Sequence, residues 1–329
     1  MNINQNAVLL LIMAAVLNGA PLLYGTLGAI LSEKAGNLNL GVEGMMFMGG
    51  AMGLGAAFYY EAAGGTIGVL AVVLALFFAF LGGAVGALIY AFLTITLRAN
   101  QNVTGLALAI FGTGAGQFIG EYMRVTSGGY VSVSNELKAV FLNSPFPQAI
   151  QQLPLVGPLL FGHSIFLYLG VAIAVAMHLF LRRTRAGLSL RAVGESPATA
   201  DAAGINVTRY KYLATVIGGG ISAIGGMVYV VTIASCVWNH EALSGEGWLA
   251  VALVIFCLWR PLNAVWGSVL FGALMILYQR LHLSFVPDEL YKILPYLVTV
   301  VVLILTSLRN NREKQPPASL GQAYFREER

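Results

Sequence analysis

Glu43 is a carboxylate set among glycines and apolar residues, inside the stretch Glu33-Lys34-Ala35-Gly36-Asn37-Leu38-Asn39-Leu40-Gly41-Val42-Glu43-Gly44-Met45-Met46. That stretch joins two apolar runs, residues 7–31 and 45–60, without a proper break. An ionisable group at bilayer depth costs at least ~2.5 kcal/mol, so a carboxylate kept there is by default a functional candidate. Two readings stay open: Glu43 lines a path, or it caps a helix start and pairs with a donor on a neighbouring helix. The amides of Asn37 and Asn39, and of Asn100-Gln101-Asn102 further on, could hydrogen-bond a hydroxylated solute. Amides at helix ends serve equally as caps and interhelical glue. The chemistry on offer is recognition, not bond making. The sequence has no G-x-x-x-x-G-K-[ST] phosphate loop, no H-E-x-x-H pair, no G-x-S-x-G elbow and no clustered carboxylate dyad. His163, His178, His240 and His282 are scattered near expected helix ends, without metal-ligand spacing. Cys236 and Cys257 fall near opposite ends of consecutive expected helices, too far apart for a disulfide, and read as small apolar fillers.

The elements that must position these residues are membrane helices. Of 329 residues, 58% are hydrophobic and only 10% are charged, against roughly 25% charged in an average soluble domain. Runs that can hold ~20 helical residues recur, and the alternation of a membrane β-barrel does not. The expected fold is all-α and polytopic, with spans near 7–30, 38–60, 66–97, 103–120, 162–181, 212–234, 247–259, 262–283 and 292–308. That gives roughly nine crossings. The length of 66–97 and the shortness of 247–259 leave room for eight or ten, through a split, a tilt or a re-entrant piece.

The basic residues orient the chain. One assignment places Lys34, Arg98, Arg260, the loop residues Arg182, Arg183, Arg185, Arg191, Arg209 and Lys211, and the tail residues Arg309, Arg312, Lys314, Arg326 and Arg329 inside. Only Arg124, Lys138, Arg280 and Lys292 then lie outside, so the N-terminus is expected outside and the C-terminus in the cytoplasm. The first apolar segment lacks a basic start and a small-residue cleavage site and reads as a retained helix. The connection 121–161 falls on the outer face, where it could meet a soluble partner or pack over the helix ends. The chain divides into a transmembrane domain, 1–309, holding the inner loop 182–211, and a tail, 310–329, expected to be a disordered cytoplasmic end. With its basic residues placed this way, the net charge of +4 speaks for topology in a lipid bilayer and not for nucleic acid.

The inner loop contains a short helix with explicit punctuation. Ser196 is a good N-cap, Pro197 suits the first helical position, and Gly204 suits the left-handed residue past the end. About two turns built from Ala198, Asp201, Ala202, Ala203 and their neighbours cannot stand alone, so this helix must dock on something. Its alanines permit close approach, and Glu195 and Asp201 offer charges to a partner's basic groups.

Residues 32–46, then Gly194-Glu195-Ser196-Pro197 through Ile205, then Gly245-Glu246-Gly247-Trp248 through Phe256 carry a resemblance across most of the chain. The chain resembles a permease subunit of ATP-binding-cassette (ABC) importers, in the branched-chain amino acid, ribose and nucleoside permease superfamily. The first and third stretches are similar to those of simple-sugar and nucleoside permeases. The resemblance implies a type II-like importer permease fold and import of a small polar solute, a nucleoside before a simple sugar, handed over by an extracytoplasmic binding protein. It implies a pathway between two permease subunits, the second expected to be a related chain in a heterodimer, in a bacterial cytoplasmic membrane. It implies no catalysis and no cofactor in this chain, with ATP and Mg held by a partner ATPase. Gly194, Glu195, Ser196, Pro197, Ala198, Asp201, Ala202, Ala203 and Gly204 would then form the coupling helix that enters a cleft of the ATPase. One departure stands after Phe256, where the family tends to show a glycine and this chain has Cys257-Leu258-Trp259-Arg260-Pro261-Leu262, which bears on local helix packing. A second is the lack of the extra N-terminal helix of sugar-type relatives. The alternative is a secondary, ion-coupled transporter. It would need no docking helix and should show buried ionisable residues in corresponding halves, whereas Glu43 stands nearly alone.

Overall fold

The computed structural model describes residues 3–154, 156–239, 241, 243–280, 293–301, 304 and 315–326. In chain order its helices are α1 (Ile3–Lys34), α2 (Val42–Ala62), α3 (Gly68–Ala91), α4 (Gln101–Thr126), α5 (Asn135–Leu142), α6 (Gln148–Gln151), α7 (Ile165–Arg183), α8 (Arg185–Glu195), α9 (Pro197–Ala202), α10 (Val207–Val228), α11 (Glu246–Phe256) and α12 (Pro261–Arg280). Single π turns extend α3 at Phe92–Thr96 and α10 at Tyr229–Ile233. Among the described residues there is no strand, only an isolated bridge between Ser132 and Val237. The fold is all-α.

Helix stands at each of the nine expected positions, the last of them as 293–301 and 304, with the rest of 292–308 outside the described residues. Among the described residues five helices are long and apolar enough to cross a membrane: Val8–Lys34, Gly68–Thr96, Gln101–Thr126, Ile165–Arg183 and Val207–Ile233. At 21 residues α2 has the length, diluted by Glu43, Glu61 and several glycines. The 11 residues of α11 rise about 16 Å at 1.5 Å each, roughly half of a ~30 Å hydrocarbon layer. It is a half-span.

Packing puts α10 at the centre, where 78% of its most apolar window is buried, against 28–44% for the other four long spans. It lies on α1, α2 and α3, while α12 packs on α1 and α4 on α2. Lipid tails are as apolar as leucine, so such contacts depend on close approach of small residues. Gly44 on α2 meets Gly112 on α4 at backbone distance. The outward faces of α3 and α4 carry exposed Val73, Phe77, Leu88, Ile110 and Phe118, as lipid contact requires. The connection 121–161 packs over the helix ends through buried Val131, Val133, Leu137 and Phe141. Glu61 at the end of α2 accepts from Ser134 N (2.9 Å), and Ser134 in turn caps α5. Cys236 and Cys257 are both buried and unbridged. Of the four histidines, His240 and His282 lie outside the described residues.

The expectation of a disordered tail is corrected for 315–326. Ser319 donates to Gly194 O through both its amide (3.1 Å) and its hydroxyl (2.6 Å). Tyr324 OH donates to Asp201 Oδ2 (2.8 Å), and the Arg98 guanidinium lies over the Phe325 ring at 4.7 Å. Polar composition and two prolines describe the segment's weak local preference, which tertiary contacts override. Residues 310–314 and 327–329 lie outside the described residues.

Candidate functional site

Between α1 and α2 the chain runs non-helically at 35–41, with Asn37 and Asn39 fully buried. Buried irregular backbone needs protein partners for its polar groups. Side chains supply them. Leu38 N donates to Gln101 Oε1 (2.7 Å), Tyr90 OH donates to Leu38 O, Gly41 N donates to Asn39 Oδ1 (3.0 Å), and Ser32 Oγ donates to Asn37 O (3.3 Å).

Residues on either side of this connection clasp α11 at both ends. At one end, Glu43 Oε1 accepts from Gly245 N (2.6 Å), and Oε2 accepts from Gly247 N (2.6 Å) and Trp248 N (3.3 Å). The carboxylate thus takes the orphan donors of the α11 N-terminus, where a negative charge also meets the positive end of the helix dipole. Of the two readings for Glu43, the capping one is what this geometry displays, and the capped helix is a neighbour, not α2 itself. Gly247 makes the approach possible, since a Cβ there would sit 2.3 Å from Glu43 Cα. At the other end, buried Glu33 Oε2 accepts from Trp259 Nε1 (2.5 Å). Leu258 and Trp259 take left-handed backbone at φ 55° and 54°, a conformation costing non-glycine residues of order 1–3 kcal/mol each. The departure after Phe256 therefore falls where the backbone favours glycine, and the Trp259–Glu33 bond helps to hold the turn.

The other expected residues divide by use. Asn100 Oδ1 caps α4, accepting from Asn102 N and Val103 N, and the Asn102 side chain is exposed. Gln101 spends its carbonyl on Leu38 and its amino group on Gln322 O (3.2 Å). Asn39 folds back on Gly41 and on Met45 Sδ. Asn37 Nδ2 donates to Thr215 Oγ1 (3.1 Å), while its Oδ1 is buried with no partner among the described residues. One residue was missed as a candidate: Glu246, 5% exposed, in the first turn of α11 beside Glu43, its Oε2 buried and unpartnered among the described residues. Its signal lay in plain view, a carboxylate between two glycines at the head of an apolar run, the pattern that singled out Glu43.

The inner loop forms its short helix as its caps dictate. The Ser196 side chain accepts from Thr199 N (3.4 Å). Gly204, at φ 81°, closes a Schellman motif in which Ile205 N donates to Ala200 O (3.0 Å) and Gly204 N to Asp201 O (3.0 Å). Gly194 and Glu195 belong to the end of α8, so the short helix itself is Pro197–Ala202. Inward, Ala200 packs with Val193 and Val207 and against Tyr324 of the tail. Outward it presents exposed Ala198, Thr199, Ala202 and Ala203. The charges expected to meet a partner are used within the chain: Asp201 holds Tyr324 and Arg326 (3.2 Å), and Glu195 Oε2 accepts from Ala318 N (3.4 Å). Gly194 seats this unit on the clasp, because a Cβ there would lie 2.2 Å from Lys34 O.

A protein-family model described as "Branched-chain amino acid transport system / permease component" matches residues 11–303. A putative glucose ABC transporter permease protein of Haloferax volcanii is 34% identical, over 96% of this chain and 98% of its own length. A guanosine ABC transporter permease protein of Bacillus subtilis is 31% identical, over 89% of this chain and 91% of its own. A nucleoside ABC transporter permease protein of Lactococcus lactis is 27% identical, over 91% and 93%.

Proposed function

The chain belongs to the branched-chain amino acid transport system / permease component family, and from that premise we propose that the solute it moves is a nucleoside or, failing that, a simple sugar. It is a multi-pass membrane permease subunit of an ABC importer, not an enzyme, and ATP hydrolysis belongs to a separate subunit of the complex. In this reading ATP and Mg are bound by that ATPase, which docks on the outward face of α9, while a binding protein delivers solute at the opposite face. A related second permease completes the pathway. The membrane is the bacterial cytoplasmic one, with the N-terminus outside and the C-terminus inside.

The observation that carries the reading is the backbone contact at Gly194, which seats the α8–α9 unit directly on the stretch that clasps α11. Discontinuous helices are where transporters form solute sites, and α11 is a half-span of that kind. A displacement of α9 by the ATPase would reach Glu43, Glu246 and α11 through Lys34 and Gly36. Of the six amide and carboxylate candidates, Asn37 remains in this reading as path-lining, joined by Glu246, because Asn37 Oδ1 and Glu246 Oε2 are buried acceptors without a partner among the described residues, while Glu43 holds the head of α11.

The test is uptake into proteoliposomes holding the permease pair, the ATPase and the binding protein. ATP-dependent, saturable uptake of guanosine or glucose is expected. Uptake by this chain alone, driven by a proton or sodium gradient and indifferent to ATP, would overturn the reading in favour of an ion-coupled carrier.

A further inference from the structure

Beside the docking unit lies a cleft of about 470 Å3, where the end of α1, the end of α7, α8 and the turn after α11 meet. Lys34, Arg182, Arg191 and Arg260 line it together with His178, and among the described residues Glu195 is the only carboxylate in the lining. Glu195 is itself engaged by the tail amide of Ala318. Cations gathered in one concavity raise the local potential and draw an anion in.

The surroundings say which anion. The α7 and α12 helices that flank the cleft pack on each other and carry exposed apolar side chains away from it: Val175 and Leu179 on α7, Leu262 and Trp266 on α12, the last 79% exposed. A tryptophan so placed suits the boundary between headgroups and hydrocarbon. A phosphate-bearing ligand with acyl chains would satisfy both surfaces at once, and basic pockets between transmembrane helices are where anionic lipids lodge. We propose that the cleft is a binding site for an anionic phospholipid, its phosphodiester held by Arg182 and Arg191 and its chains lying along α7 and α12. A lipid there would bear on α8 and hence on α9, so the composition of the membrane would tune the docking unit.

The test purifies the full chain within its importer complex in mild detergent and measures co-purifying lipid by mass spectrometry after exchange into mixed micelles. Wild type is expected to retain phosphatidylglycerol over phosphatidylcholine, unaffected by millimolar inorganic phosphate. The variant R182Q/R191Q should lose that preference by roughly tenfold or more, because each cation near the surface contributes a factor of about five. Arg124→Gln, on α4 and remote from the cleft, should keep it. Equal retention by the double variant, equal loss in Arg124→Gln, or displacement by inorganic phosphate would each overturn the proposal, the last by pointing to a soluble phosphate. Thermal stability of wild type in nanodiscs keeps the question open to disproof should the double variant fail to fold. Phosphatidylglycerol must stabilise the wild type relative to phosphatidylcholine, and no difference overturns the proposal.

Discussion

At Glu43 both carboxylate oxygens are occupied by backbone donors, so the amide of Glu43→Gln can satisfy only one side and turns an N–H toward the other. The substitution is therefore not conservative. It should lower stability by about 1–3 kcal/mol, the cost of buried donors left unmatched, seen as a lower thermal midpoint in detergent. Glu246→Gln asks the cleaner question, because Glu246 Oε2 has no described partner to lose. That variant should fold like wild type and import at least about tenfold more slowly, a difference of ~1.4 kcal/mol in the rate-limiting barrier. Wild-type uptake at matched protein amounts would remove Glu246 from the pathway. Gly247→Ala forces a methyl against Glu43 Cα and should prevent stable assembly, measured as loss of monodisperse protein. The importance of Glu43 was legible from its apolar setting alone. Its partners were not, because they lie more than 200 residues away, and nothing local links Gly245 and Gly247 to one carboxylate.

Among the elements, α9 was the most legible, since Ser196, Pro197 and Gly204 are stop and start signals that act within a few residues. Ser196→Ala should cost about 1 kcal/mol of helix stability and weaken recovery of the ATPase with the permease. Ala203→Arg adds bulk to an exposed position, so the permease should fold normally while ATPase co-purification falls and hydrolysis parts from uptake. Normal coupling in that variant would show that the docking face lies elsewhere. The half-length of α11 was visible as a short apolar run. What made it short was hidden: the clasp at its head, and the left-handed pair Leu258 and Trp259 at its foot. Trp259→Phe, which removes the Nε1–H donor to Glu33, tests the foot and should destabilise the fold by roughly 1–3 kcal/mol.

Across the whole molecule, the tail ties regions that the sequence keeps apart. The exposed Arg326–Asp201 pair is a minor part of that tie, worth under about 1 kcal/mol with Arg326 74% solvent-accessible. The buried Ser319 hydroxyl and the Tyr324 bond contribute more. Combining Ser319→Ala with Tyr324→Phe should speed amide exchange across α9 by roughly tenfold, from two bonds of ~0.5–1.5 kcal/mol each. Unchanged exchange would mean that the tail merely rests there. Composition read this segment as disordered because the contacts that fasten it come from distant residues such as Gly194, 125 positions earlier. That separation has a meaning in time. At ~5–20 residues per second of synthesis, Ser319 leaves the ribosome roughly 6–25 s after Gly194. During that interval α9 exists without its fastening, so under the proposed docking a nascent permease would offer the motor a looser handle than a finished one.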